Sequence, residues 1–504
     1  MSLVKRNILA NLLANGWTAA MALAFVPIYI HFMGIEAYGL IGFFIVLQGV
    51  FSLLDLGLSA TLSREMARLS VLPDKAQEMR DLVRTLEIIY WAVALFIGLI
   101  VIVSAPIITH RWVQAGQLPT ATVKQAIMLM GLAMALQWPF GFYSGGLMGL
   151  QRQVLLSGVN AVTATGRGAG AVLILWLISP TIQAFFVWQI ISSGLRALLV
   201  AALLWRGLPA TGVVAGFKVN LLRNIGRFAA GITGISAMAL LLTQLDKIIL
   251  SKMLTLEMFG YYTLATMAAS VVGFLVNPFF AAIYPRLTQL VTLGNQNELK
   301  EVYHRGCQVL SVLIFPMALL IALFSRELLF LWTRNQVTVA NASLILSFLV
   351  IGAALNSLTY LPYALQLANG WTRLTFYMIA ISAVFLIPLI ILMTLHYGAV
   401  GAAIAWIVIN TGYAFVYIPF MHRRLLIGEK WRWYLEDVGL PLVAALAIIG
   451  VGRWLINFQM SVPVIGVLLF LTYLAATVAA ALAAPRTRTW IIGMAERLRV
   501  CMAL

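Results

Sequence analysis

Charge is scarce in this 504-residue chain: Lys, Arg, Asp and Glu together make up 10% of it, against roughly 25% in an ordinary soluble domain. Acidic residues are the rarer kind, 16 against 33 basic ones. A soluble fold has no interior large enough for the 62% of residues that are hydrophobic, because much of any folded surface stays exposed. Soluble enzymes, disordered chains and collagens are excluded on the same ground. The two cysteines, Cys307 and Cys501, are too few for a disulfide framework and too far apart for a CxxC zinc or redox site. Five scattered histidines form no HExxH pattern, and no paired carboxylates occur. The Gly-rich stretch Thr165–Gly170 lies inside an apolar run, where a phosphate loop cannot form; its glycines are expected to allow close helix packing. No loop exceeds about 25 residues, which leaves no room for a soluble catalytic domain. The sequence therefore predicts no enzyme, no catalytic residue, no metal and no cofactor.

What is present is apolar sequence in span-length pieces. A bilayer core of ~30 Å needs about 20 apolar residues in a helix. Fourteen runs meet that length, at 7–32, 37–62, 85–108, 125–148, 154–179, 181–205, 226–250, 258–284, 306–330, 338–367, 374–396, 398–421, 435–456 and 461–484. They are too long and too uniformly apolar for barrel strands, so an all-α polytopic membrane protein is expected. The first run follows Lys5 and Arg6 without a small-residue cleavage site and is read as a span, not a signal peptide. With the N-terminus in the cytoplasm, 24 of the 33 basic residues fall on the cytoplasmic side and six on the other, with Arg167, Arg196 and Lys247 inside spans. That asymmetry predicts both termini in the cytoplasm. It also accounts for most of the net charge of +17 without a nucleic-acid partner. The tail from Arg486 to Arg499, interleaved with Trp490, Ile491 and Leu498, reads as an amphipathic helix on anionic membrane lipid.

A shift of 221 residues brings parts of the chain onto itself. Arg6 meets Arg227, Glu36 meets Glu257, Gly39 meets Gly260, Arg84 meets Arg305, Gly149 meets Gly370 and Arg152 meets Arg373. The shift moves the first span onto the seventh, and six is an even number, so the repeat is parallel. The expected organisation is an N-terminal lobe at 1–206, a C-terminal lobe at 207–422, two further spans at 423–484 and the tail at 485–504. Two facing six-helix lobes make an alternating-access layout.

Ionisable groups inside a membrane are costly and face a cavity or a partner. Arg167 lies near the middle of the fifth span. Arg196 lies ten residues before Arg206, about 15 Å inside the membrane end. Asp55 lies at a similar depth in the second span. Polar residues recur at helical spacing beside them: Asn11 and Asn15 with Thr18; Gln48, Ser52 and Asp55; Asn160 and Thr163 with Arg167; Gln189 and Ser193 with Arg196; Thr263, Thr266, Ser270 and Asn277. These stripes predict a substrate cavity with a cationic part, suited to an anionic headgroup because the guanidinium fork bonds two oxygens at once. The alternative is a packing pair, Asp55–Arg196 or Asp55–Arg167. Arg64 would stand at the cytoplasmic entrance. Asp246 and Lys247, with Asp55, are candidates for ion coupling, the ion being a proton or sodium.

Several motifs resemble the polysaccharide transporter family, the Wzx-type O-antigen and exopolysaccharide flippases. They are Glu36-Ala37-Tyr38-Gly39-Leu40, Leu54-Asp55-Leu56-Gly57-Leu58 with Arg64, Gly149-Leu150-Gln151-Arg152, and Gln244-Leu245-Asp246-Lys247-Ile248-Ile249-Leu250 followed by Phe259-Gly260-Tyr261-Tyr262. The resemblance implies membership of the multidrug/oligosaccharidyl-lipid/polysaccharide exporter superfamily, with two six-helix lobes. It implies a flippase that carries undecaprenyl-diphosphate-linked oligosaccharide repeat units from the cytoplasmic to the periplasmic leaflet of the bacterial inner membrane. O-antigen, capsule or exopolysaccharide assembly would be its setting, with a polysaccharide polymerase and chain-length proteins as partners. The alternatives are a multidrug or cation antiporter and a lipid II flippase of the same superfamily. No arginine occurs between Arg6 and Arg64, where lipid II flippases carry several.

Overall fold

The structure, a computed structural model, describes residues 3–55, 57–221, 244–371, 373–456 and 460–489. The described residues are overwhelmingly helical and contain no strand, apart from one isolated bridge between Gln114 and Thr255. Among the described residues, ten helical runs are long and apolar enough to cross a membrane. Two of them, Ala10–Asp55 with 46 residues and Arg373–Leu425 with 53, are too long for a single crossing. They break at Gly34 (φ 83°) and Gly398 (φ 58°), where the backbone enters a region that side chains disfavour. Each of these runs therefore holds two of the fourteen expected spans. The expected fifth span is a helix outside the ten, and most of the expected seventh lies outside the described residues. Residues 490–504, with most of the expected amphipathic tail, also lie outside them.

The chain forms two compact units, Met1–Gly260 and Tyr261–Leu504. The first is built from α1 (Leu3–Phe51), α2 (Leu58–Leu69), α3 (Ala76–Arg111), α4 (Thr120–Gln137), α5 (Pro139–Gly149), α6 (Gln153–Leu177), α7 (Ile182–Gly207) and α8, described over 244–253. Helix α9 (Leu256–Ala269) begins in it. Pro139 opens α5 and separates it from α4, because proline lacks the amide that would continue the helix. Helix α5 lies almost backbone to backbone on α2: a Cβ on Gly145 would sit 2.4 Å from the Ser59 carbonyl, and one on Gly149 2.3 Å from that of Ser63. Small residues four apart allow this approach where lipid offers no hydrophobic drive between helices. Below that contact lies an apolar core of Leu62, Met66, Leu82, Leu86, Phe142, Leu147 and Leu204. The outward faces of the spans remain apolar, as Leu95, Val103 and Trp176 illustrate.

Glu36 explains the α3–α4 loop. Its carboxylate is buried and accepts from the amides of Gly116 (2.6 Å), Gln117 (2.9 Å) and Leu118 (3.1 Å). Three orphan donors next to a helix start are thus satisfied by one charged acceptor. Near it, two glycines paired by the 221-residue shift pack reciprocally. A Cβ on Gly39 would meet the Leu256 carbonyl at 2.2 Å, and one on Gly260 would meet the Ile35 carbonyl at 2.4 Å.

The second unit contains α10 (Val271–Thr292), α11 (Gln296–Leu323), α12 (Ser325–Thr333), α13 (Gln336–Ser357), α14 (Tyr360–Ala368), α15 (Arg373–Gly412), α16 (Ile418–Leu425), α17 (Lys430–Arg432), α18 (Leu440–Leu455) and α19 (Val462–Ala483). The last two spans are bonded into this unit. Asp437, fully buried, binds His304 Nδ1 and accepts from Gln308 Nε2 at 3.0 Å. Gln308 Oε1 accepts from the Arg486 amide at 2.8 Å, and the Arg486 side chain reaches Glu301 at 2.8 Å. At the edge of this cluster, Glu429 pairs with Lys300 at 2.9 Å, and His304 Nε2 lies 3.3 Å away without hydrogen-bond alignment. Burial pulls the Glu429 carboxyl upward, but Lys300, His304 and Arg432 outweigh it and hold it below the usual carboxylate range.

Candidate functional site

A cavity of about 130 Å³ lies inside the first unit. Its lining comes from three helices and one break: Asn15 and Thr18 of α1, Gln137 and Phe140 flanking the α4–α5 break, Asn160, Thr163, Ala164 and Arg167 of α6, and Ser192, Ser193 and Arg196 of α7. Both intramembrane arginines of this unit thus face one space. Their neighbours explain how they are held. The Arg196 guanidinium donates to Asn160 Oδ1 at 3.0 Å and lies 3.5 Å from the centre of the Phe140 ring, a cation–π contact. Its Nε is enclosed without an acceptor.

Helix α6 is clamped around Arg167 through its backbone. The Trp188 indole donates to the Arg167 carbonyl at 2.9 Å, and the Tyr29 hydroxyl donates to that of Gly168 at 3.4 Å. Gly168 lies against the Phe25 ring and Gly170 against Trp188, with no room for a side chain at either. Gly166, by contrast, faces open space and does not serve close packing. Towards the other end of α6, Asn11 bridges Gln153 (3.0 Å) and Ser157 (2.6 Å), while Trp17 donates to Thr165 at 2.8 Å. These bonds fix the face that α6 turns to the cavity.

Among the described residues no carboxylate forms an ion pair with Arg167 or Arg196. Asp55 is engaged elsewhere: it accepts from Ser59 Oγ at 2.5 Å and from the Tyr90 hydroxyl. The packing pair between Asp55 and either arginine is therefore absent from the described contacts. Two like charges in one small, partly dry space repel each other, and an anion between them relieves that repulsion. The cavity thus combines two guanidiniums with neutral hydrogen-bonding walls.

The sequence-predicted residues divide accordingly. Arg167, Arg196, Asn15 and Asn160 line the cavity. Gln48 stands one bond behind it, donating to Gln137 at 2.7 Å. Asn11 braces α1 on α6. Ser52 bonds the Gly49 carbonyl at 2.7 Å within the short turn Ser52–Asp55 that ends α1. Gln189 is buried outside the lining. Asn277 is exposed on α10, in the second unit. Arg64 is half-exposed with Glu65 at 3.8 Å. Asp246 and Lys247 lie half-buried in α8. Gln137 and Phe140 were not anticipated. They belong to no helical stripe, and Pro139 between them was the only sequence signal of the break that turns them inward.

The described residues form a polytopic helical fold with a buried cationic cavity, and solved membrane proteins of low sequence identity share that fold. The inward closed lipid II flippase MurJ is similar with a TM-score of 0.69 at 13% identity, over 92% of this chain and 97% of that one. An inward-facing multidrug resistance MATE family transporter is similar with a TM-score of 0.62 at 15% identity, over 81% of this chain and 94% of that one. At the level of sequence, residues 4–291 match the polysaccharide biosynthesis protein family, and the chain belongs to that family. A putative O-antigen transporter of Shigella flexneri is 20% identical over 406 residues, 81% of this chain and 94% of the relative.

Proposed function

We propose that this protein flips undecaprenyl-diphosphate-linked oligosaccharide repeat units from the cytoplasmic to the periplasmic leaflet by alternating access, for O-antigen, capsule or exopolysaccharide assembly. It would act in the bacterial inner membrane with both termini in the cytoplasm, and pass its product to the polymerase and chain-length proteins. The observation that carries this reading is the pair of guanidiniums sharing one cavity with no described carboxylate partner. A transporter of cationic drugs needs acids in its cavity; this cavity has the opposite charge. The diphosphate would bind between Arg167 and Arg196, while Asn15, Asn160 and the serines of α7 offer hydrogen bonds to phosphate or sugar. Family membership and the O-antigen transporter relative support the same substrate class. Asp55, Asp246 and Lys247 are the candidates for coupling to a proton or sodium ion.

The test is transport in proteoliposomes that hold the purified protein. A labelled prenyl-diphosphate oligosaccharide should cross, and a cationic dye should not. Dye transport without lipid transport would sink the proposal in favour of a cation antiporter. Transport of lipid II in preference to the oligosaccharide lipid would favour the other relative.

A further inference from the structure

A second pocket, of about 370 Å³, lies outside the cavity and shares no residue with it. Its walls are Arg80 and Arg84 of α3, Trp205 of α7 and the loop residues Thr211, Gly212, Val213, Val214 and Ala215. We propose that it binds the phosphodiester headgroup of an anionic membrane phospholipid.

The pocket is built by specific bonds. After α7 the chain folds back over the start of α3 and is pinned there in three places. Arg80 donates to the Pro209 carbonyl at 3.1 Å, the Gly216 amide donates to Asp81 Oδ1 at 2.8 Å, and the Lys218 amide donates to Thr85 Oγ1 at 2.9 Å. Between the pins the amides of Thr211 to Ala215 make no hydrogen bond to the described residues. The loop therefore leaves amide donors unpaired in the segment that lines the pocket beside two guanidiniums.

Among the described residues, one of the two guanidiniums lacks a carboxylate partner. Arg84 is answered by Glu87 at 2.8 Å, and Glu87 is shared with Tyr143 (2.7 Å) and Trp205 (3.1 Å). Asp81 Oδ1 accepts from both the Gly216 amide and Gln77. Arg80 has no carboxylate partner among the described residues; it lies 5.5 Å from the Trp205 ring centre, and its Nε is enclosed without an acceptor. An oxyanion would satisfy that nitrogen and the free amides together, as arginine and loop amides do for phosphates elsewhere.

The surroundings decide between a lipid and a soluble phosphate. Val213 and Val214, which line the pocket, are 66% and 91% exposed, and Phe217 and Val219, a few residues further along the chain, are also exposed. An apolar rim around a cationic pocket matches the membrane interface, where headgroup and acyl chains lie a few ångströms apart. A pocket for free phosphate gains nothing from that rim.

The experiment uses the full-length protein in detergent and counts bound phosphatidylglycerol by native mass spectrometry during titration. Glycerol phosphate and inorganic phosphate serve as competing probes. The wild type should hold one phosphatidylglycerol that Arg80→Gln binds about tenfold more weakly, the worth of one charge-assisted hydrogen bond. Arg80→Lys should fall between them. The double variant Val213→Ser/Val214→Ser keeps the charge; it should weaken phosphatidylglycerol while leaving glycerol phosphate unchanged. Equal phosphatidylglycerol affinity in the wild type and Arg80→Gln would overturn the proposal. Displacement of the lipid by inorganic phosphate at matching concentration would assign the pocket to a soluble anion instead. Should Arg80→Gln fail to fold, the double variant decides alone, and unchanged lipid binding there overturns the proposal.

Discussion

At the scale of single residues the account rests on Arg167 and Arg196. A lone cation near the membrane centre costs about 2.5–3.5 kcal/mol on insertion scales, and a merely structural position would be served by a neutral side chain. Arg167→Ala should therefore abolish transport while protein abundance stays near wild type, measured by flipping activity and membrane immunoblot together. Arg167→Lys keeps the charge without the fork and should retain partial activity. Loss of the protein from the membrane in Arg167→Ala would make Arg167 a packing residue. The stripes on α6 and α7 were readable because the lining uses helical spacing. The opposite end of the Arg196 interaction was not readable: Phe140 reaches the guanidinium only because the chain breaks at Pro139. Glu429 gives a separate test. Its pKa in the fold lies below the ordinary 4.5, so the stability it adds is full above that value and is lost as pH falls through the lowered one. Glu429→Gln should lower the melting temperature at pH 7, with the gap closing as the pH falls through the lowered Glu429 pKa. A gap independent of pH would mean that the charge of Glu429 contributes nothing.

At the scale of elements, two devices hold the spans in place. Glu36 gathers three amides of the α3–α4 loop. Replacing it by glutamine removes the charge assistance and should destabilise that loop by about 1.5–3 kcal/mol, seen as faster amide exchange at 116–118. Asp437 ties α11 to the start of the thirteenth expected span through His304 and Gln308. Asp437→Ala leaves buried donors unpaired and should cost about 3–5 kcal/mol, read as a lower melting temperature. If Asp437→Ala melted as the wild type does, the last two spans would be held by apolar packing alone. Most helices were legible as apolar runs between basic loops. The double-length runs were not, since the way two spans join end to end across Gly34 and Gly398 depends on backbone torsions that hydropathy does not encode. The long-range bonds of Glu36 and Asp437 were equally hidden, because sequence spacing carries no information about partners 80 or 133 residues away.

At the scale of the whole molecule, composition alone identified lipid as the solvent, and the motifs pointed to the family to which the match over residues 4–291 assigns the chain. The topology adds a prediction. A reporter active only outside the cytoplasm should give signal when fused after Arg111, Arg334 or Arg453, and none after Arg152, Arg373 or Leu504. Signal at Leu504 would mean an odd number of spans. The central claim is that the cavity recognises an anionic diphosphate headgroup through Arg167 and Arg196, and calorimetric titration of the purified protein with a short-chain prenyl diphosphate measures it most directly. The account predicts one site, at least tenfold weaker binding in Arg167→Ala and in Arg196→Ala, about 1.4 kcal/mol each, and no heat with the uncharged prenol. Undiminished diphosphate affinity in both variants would contradict it.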